Sequence, residues 1–198
     1  MSFTTRQIEI IEQAFLLIDE GGLQKLTTKN LAEAMGFTEP AIYRHFKNKV
    51  DLLNAILRYY QTELRSGMEV ILDSNEIGLN QLQAVVLFQF QKFAEKPGIL
   101  MVIFSEMSFQ YEGTLLQTIT QTIAQKEKRM ERIISKGQED GSIRKDVSAI
   151  KLAHIIMGSM RFTALRWKLS AFNFDLEEEA KLLQHTLTTL LTPPIPNA

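Results

Sequence analysis

Apolar residues recur along this chain at the three- and four-residue spacing of helix faces, and no stretch alternates with the two-residue rhythm of a strand. Ile8, Ile11, Ala14, Phe15 and Ile18 predict a helix from Thr5 to Glu20, stopped by Gly21-Gly22, with Leu23 and Leu26 packed beneath it. From Leu26 to Lys49 the pattern predicts two short helices joined by a tight turn. Thr27 or Thr28 caps the first, because a hydroxyl oxygen accepts from a free first-turn N–H. Leu31, Ala32 and Met35 fall on one face, and Gly36 stands where a helix often ends with positive φ. Phe37 plugs the gap between the helices. Thr38 caps the second, and Pro40 lies in its first turn, where a missing N–H costs nothing. Ile42 and Phe46, four apart, point inward with the first helix's apolar face.

The remainder is helical throughout. Asn48 caps a long helix, with Asp51 in its first turn opposing the positive end of the dipole. Leu52, Leu53, Ile56, Leu57, Tyr60, Leu64 and Met68 mark its buried face, and some 24 residues of helix span roughly 35 Å. Asp73 to Glu76 and Gly78 form a loop. Further helices are predicted over 79–95, 99–109 and 114–140, divided by Lys96-Pro97-Gly98 and by Tyr111-Glu112-Gly113. The middle of the last, Gln125 to Arg132, is mostly charged and reads as solvated. Gly141 ends it, and Asp146 or Ser148 opens a helix to Leu169 that is apolar nearly all round, so burial on several sides is expected. A final helix runs from Asp175 to Leu191, before Pro193-Pro194 and Pro196. The fold class is all-α with about nine helices, divided into 1–50 and 51–198.

Composition narrows the chemistry. At 198 residues, 45% apolar and 23% charged, the chain is ordinary for a globular protein of one domain or two small ones. It has no cysteine, so neither a disulfide framework nor a thiolate metal site is possible. No apolar run reaches the roughly 20 residues of a membrane helix, and Met1 to Gln7 lacks the layout of a secretion signal. A cytoplasmic protein without membrane partners is therefore expected. The net charge of −1 does not by itself suggest nucleic acid. Its distribution does more: acids gather on the first helix, at Glu9, Glu12, Asp19 and Glu20, whereas Pro40 to Lys49 carries Arg44, His45, Lys47 and Lys49 and no acid.

With Ile42 and Phe46 turned inward, the second short helix presents Glu39, Ala41, Tyr43, Arg44 and His45 outward, followed by Lys47 and Lys49. A phenol, a guanidinium and an imidazole in a row add little to packing but match duplex DNA. The Arg fork fits guanine or a phosphate, and Tyr, His and Lys suit phosphate oxygens. In helix-turn-helix proteins the second helix enters the major groove.

The run Leu26-Thr27-Thr28-Lys29-x-Leu31-Ala32-x-x-Met35-Gly36-Phe37, then Pro40-x-x-Tyr43-x-His45-Phe46-Lys47-Asn48-Lys49-x-x-Leu52-Leu53, carries a further signal. Residues 6–53 resemble the DNA-binding domain of the TetR family of bacterial transcriptional regulators. The resemblance covers about a quarter of the chain; beyond it only length and helical character match. It implies a helix-turn-helix domain over 1–50, a helical effector-binding and dimerisation domain over 51–198, and a homodimer formed through the last two helices. By position in the motif, Arg44 meets a base or phosphate and Tyr43 a phosphate. Lys49 and His45 touch phosphate, and Thr28 and Lys29 open the supporting helix, where free N–H groups meet a phosphate. Glu39, Pro40 and Ala41 sit at the tip. Pro40 and Ala41 suit a thymine methyl, while Glu39 either accepts from cytosine or repels phosphate.

The same resemblance implies a ligand-responsive repressor acting on a palindromic operator. The alternative is an all-helical sensor or carrier of hydrophobic ligands that has lost operator binding. Phe90, Phe93, Phe104, Met107, Met157, Met160 and Arg161 are the candidates for contact with a small hydrophobic effector, since Met and aromatic side chains suit an adaptable apolar cavity. For each of them an ordinary core role competes. Glu106 and Arg161 interrupt apolar runs and call for pairing, exposure or a ligand. An enzyme is not expected: His45, His154 and His185 are isolated, and no phosphate loop, zinc-protease motif or nucleophile elbow occurs. No cofactor is implied.

Overall fold

The computed structural model describes residues 3–104 and 113–193, apart from the side chain of Thr114. The described residues form nine helices and no strand: α1 (Thr5–Lys25), α2 (Thr28–Met35), α3 (Glu39–Tyr43), α4 (Lys49–Leu72), α5 (Gly78–Glu95), α6 (Gly98–Ile103), α7 (Gly113–Asp140), α8 (Ala149–Leu169) and α9 (Leu176–Leu191). The all-α fold expected from the periodicity is present. No helix among them is long and apolar enough to cross a membrane. The chain divides into two compact units, one of residues 1–64 and 96–121, the other of 65–95 and 122–198. The boundaries between these units fall within α4 and α7 and between α5 and α6.

In the first unit, local signals set the helix ends. Thr4 and Gln7 form a capping box: the Thr4 hydroxyl accepts from the Gln7 N–H at 3.2 Å, and the Gln7 side chain accepts from the Thr4 N–H at 3.1 Å. The α1 backbone leaves helical geometry at Gly21 and Gly22, then resumes to Lys25. Thr27 caps α2 by accepting from the Asn30 N–H at 3.0 Å. Gly36 ends it at φ 65°, the left-handed conformation that a side chain disfavours. Thr38 precedes α3 without a side-chain capping bond, unlike Thr27. Asn48 caps α4 by accepting from the Asp51 N–H at 2.8 Å.

Ile10, Ile11, Ala14, Phe15 and Ile18 of α1 are buried together with Leu31, Ala32, Ile42, Phe46, Leu52, Leu53 and Ile56. Met35 and Phe37 are only half-buried, so the turn between α2 and α3 is more open than the pattern predicts. On the other side of α1, the Lys96 ammonium lies 3.0 Å from Glu12 Oε1 and 2.9 Å from Glu63 Oε2. It also sits over the rings of Phe15 and Tyr59, at 5.1 and 5.4 Å. Burial opposes its charge, but the Glu63 and Glu12 carboxylates outweigh burial and hold its pKa above the ordinary lysine value. Burial, with hydrogen bonding to Glu12 and the charge on Glu63, also raises the Tyr59 phenol.

In the second unit α5 packs along α9 and meets α8. Its N-terminus is capped from far along the chain. The Gly78 N–H donates to Asp140 Oδ2 at 2.7 Å, and the Leu79 N–H donates to Ser142 Oγ at 3.1 Å. These bonds satisfy two of the first-turn donors that a helix leaves open. The approach is close because both partners lack a side chain: a Cβ at Gly78 would stand 2.3 Å from Gly137 Cα. Trp167 on α8 donates from Nε1 to the Phe174 carbonyl at 2.9 Å and meets Phe172 edge-on, ring centres 4.7 Å apart. The turn between α8 and α9 carries positive φ at Ala171 (53°) and Phe172 (62°), an uncommon conformation for non-glycine residues.

The helix read as apolar nearly all round buries Leu152, Ala153, Ile156, Met160, Ala164 and Trp167, while Ile155, Phe162 and Leu169 of α8 are 57%, 63% and 74% exposed. They recur two turns apart, so they form a stripe that this chain leaves uncovered. The middle of α7, read as mostly solvated, keeps Gln125, Lys128, Arg129 and Arg132 exposed, while Met130 turns into the core and Lys126 and Glu127 are half-buried.

Candidate nucleic-acid interface and effector region

The short helix α3 gains its position from α1 and α2. Ile42 and Phe46 are 1% and 4% exposed, so the opposite face is fixed outward by the same packing. On that face Tyr43 is 49% exposed, Glu39, Pro40 and Arg44 are exposed, and Ala41 is half-buried. Arg44 is the first residue beyond α3. His45 is half-buried, with its backbone N–H donating to the Ile42 carbonyl at 2.9 Å. Lys29 and Lys47 are exposed.

Thr28, Glu39 and Tyr43 meet. The Thr28 hydroxyl donates to Glu39 Oε2 at 2.8 Å and lies 3.4 Å from the Tyr43 hydroxyl. The start of α2 is thereby tied to both ends of α3, a link that no spacing rule reveals because the residues are 11 and 15 positions apart. Lys49 also has an internal partner: its ammonium donates to the Leu23 carbonyl at 2.7 Å, and burial holds its pKa below the ordinary lysine value. The Arg6 guanidinium lies 5.0 Å from the centre of the Phe37 ring, which supports the turn from outside. Arg44, Tyr43, Lys29 and Lys47 thus form an exposed donor surface around an acidic side chain at the α3 tip.

The candidate effector residues are dispersed. Phe90 is fully buried and meets Phe93 edge-on, ring centres 6.1 Å apart. Met160 is buried, Met157 and Phe104 are half-buried, and Arg161 is exposed. Met107 and Glu106 lie outside the described residues. A group not singled out in the sequence stands beside Phe90. Lys126 donates to Gln89 Oε1 at 3.3 Å, and Gln89, itself 4% exposed, precedes Phe90 on α5. Burial, together with the positive charges of Arg129 and Arg161, pushes the Lys126 pKa down to about 8. His154 of α8 pairs with Glu127 of α7. Among the described residues no group of three metal-ligating side chains occurs.

Known proteins agree with this architecture. The model of bacterial regulatory proteins of the tetR family matches residues 10–56, and that of the tetracyclin repressor-like C-terminal domain matches residues 79–189. The nucleoid occlusion factor SlmA of Marinobacter nauticus is 26% identical over 85% of this chain and 86% of its own length. The probable acrEF/envCD operon repressor of Escherichia coli strain K12 is 25% identical over 96% of this chain and 87% of its own. The transcriptional regulator FadR of Bacillus subtilis, solved with stearoyl-CoA, superposes with a TM-score of 0.79 at 20% identity, covering 92% of this chain and 97% of that one. The two family models together span the helix-turn-helix and the helices from α5 to α9, and the chain belongs to the TetR family of DNA-binding transcriptional regulators.

Proposed function

We propose that the protein is a ligand-responsive repressor that binds a palindromic operator as a homodimer in the cytoplasm. The observation that carries this reading is the outward display of Tyr43 at the end of α3 and of Arg44 just beyond it, while Ile42 and Phe46 are held in the core. In this reading residues 1–50 form the DNA-binding head and 51–198 the effector and dimerisation part. Arg44 meets a base or phosphate, Tyr43, His45, Lys29 and Lys49 serve the backbone, and Pro40 and Ala41 face a base edge. The uncovered Ile155, Phe162 and Leu169 of α8, with Leu182 and Leu190 of α9 at 64% and 56% exposure, form the dimer face. A dimer supplies two heads to half-sites about one DNA turn apart.

The effector is a small amphiphile. Its apolar body packs among Phe90, Phe93, Met157 and Met160, and its acidic group meets Lys126 and Arg161. The cationic surroundings of Lys126 support the acidic group, as does the acyl-CoA bound to the FadR relative. The effector releases DNA by favouring one of two arrangements of the heads, which requires unequal affinity for the two. Repression is the sense carried by the operon-repressor relative.

A mobility-shift titration against the DNA upstream of its own coding region, repeated at rising salt, tests the reading. Retardation that weakens steeply with salt is expected, because phosphate contacts release counterions. Absence of any sequence-preferring retardation would return the protein to the class of hydrophobic-ligand carriers.

A further inference from the structure

We infer that Glu39 selects cytosine in each half-site and that Thr28 is the positioning residue that aims it; this deepens, and rests on, the operator reading above. Glu39 is exposed at the start of α3, one helical turn before Tyr43. A carboxylate there repels backbone phosphate, so it adds nothing to general attraction for DNA. It is also not loose. Its Oε2 accepts from the Thr28 hydroxyl at 2.8 Å, and the same hydroxyl lies 3.4 Å from the Tyr43 hydroxyl. One oxygen is thus anchored to α2 through a group that also neighbours the proposed phosphate-binding phenol. The other, Oε1, remains to face the groove.

An ionised carboxylate only accepts hydrogen bonds. Guanine presents acceptors at N7 and O6, and thymine presents O4 and a methyl. Adenine offers a donor beside the N7 acceptor, which repels a second carboxylate lone pair. Cytosine offers its N4 amino group and matches the carboxylate best. Anchoring Oε2 reduces the freedom that Glu39 must give up on binding. Thr28 therefore serves base selection, rather than the phosphate contact that its place in the motif implies.

The test enriches binding sites from a random duplex library with the full-length protein and three variants, Glu39→Gln, Thr28→Val and Thr28→Ser, each checked for unchanged thermal melting. The wild type is expected to yield a symmetric site with cytosine at one position per half-site, and replacing that base weakens binding roughly 5- to 150-fold. Glu39→Gln moves the preference at that position alone to adenine, whose N6 and N7 suit a carboxamide. Thr28→Val flattens the cytosine preference, while Thr28→Ser keeps it. An enriched site that is identical for wild type and Glu39→Gln overturns the inference and leaves the operator reading standing. So does a gain in affinity for all sequences alike on removing the charge. If the wild type enriches no sequence, the operator reading itself fails.

Discussion

Arg44 stands one residue past α3, exposed, beside Tyr43 and within reach of whatever α3 enters. Arg44→Ala is expected to cost operator binding about 1–3 kcal/mol if the guanidinium reads a base. Fluorescence anisotropy with wild-type and base-substituted operators checks both the loss and whether it falls on one base. Lys126 supports a second expectation. With its pKa near 8 against 10.5 for an unhindered lysine, the native state binds fewer protons than the unfolded chain between those values. Native stability contributed by this group therefore rises with pH across that window. Lys126→Met should raise the melting temperature at pH 7, where the half-buried charge is still present, and the advantage should shrink as pH climbs above about 8. Scanning calorimetry at several pH values measures it. Residue identity was legible where local chemistry decides it, as at Thr27, Gly36 and Asn48. Lys126 was not legible: in the sequence it is one charge among many on a long helix, and its enclosure comes from Gln89 on a distant element.

The helices followed from periodicity because each buries one face, and their ends followed from caps and glycines. What the sequence does not contain is how one element closes another. The N-terminus of α5 is capped by Asp140 and Ser142, more than 60 residues away. Gly78 reads as a loop glycine, and nothing in the sequence brings it against Gly137. Gly78→Ala would place a Cβ 2.2 Å from the Gly137 backbone nitrogen, where neither backbone can yield cheaply. The expected loss is about 1–3 kcal/mol of stability, of the size of other overpacking substitutions, measured by urea denaturation. Lys96 makes the same point. A residue in a Lys-Pro-Gly break reads as loop chemistry, yet it joins Glu12 of α1 to Glu63 of α4.

At the scale of the whole molecule the uncovered stripe on α8 and α9 is the proposed dimer face. Phe162→Glu combined with Leu182→Glu places charge where two copies of the chain are proposed to meet. The double variant is expected to scatter light as a monomer at micromolar concentration. It should lose most of its affinity for a two-half-site operator while still folding, since both side chains are exposed in the single chain. The stripe was legible only as surplus hydrophobicity, because periodicity shows that a face is apolar but not which surface covers it. The chain's one tryptophan lies at the end of this region, hydrogen-bonded into the turn between α8 and α9 and edge-on to Phe172. Its intrinsic emission therefore comes from a single known place. Quenching and spectral position, followed during dilution or titration with candidate acyl compounds, give an optical readout of the helices proposed to pair two copies, with no dye attached.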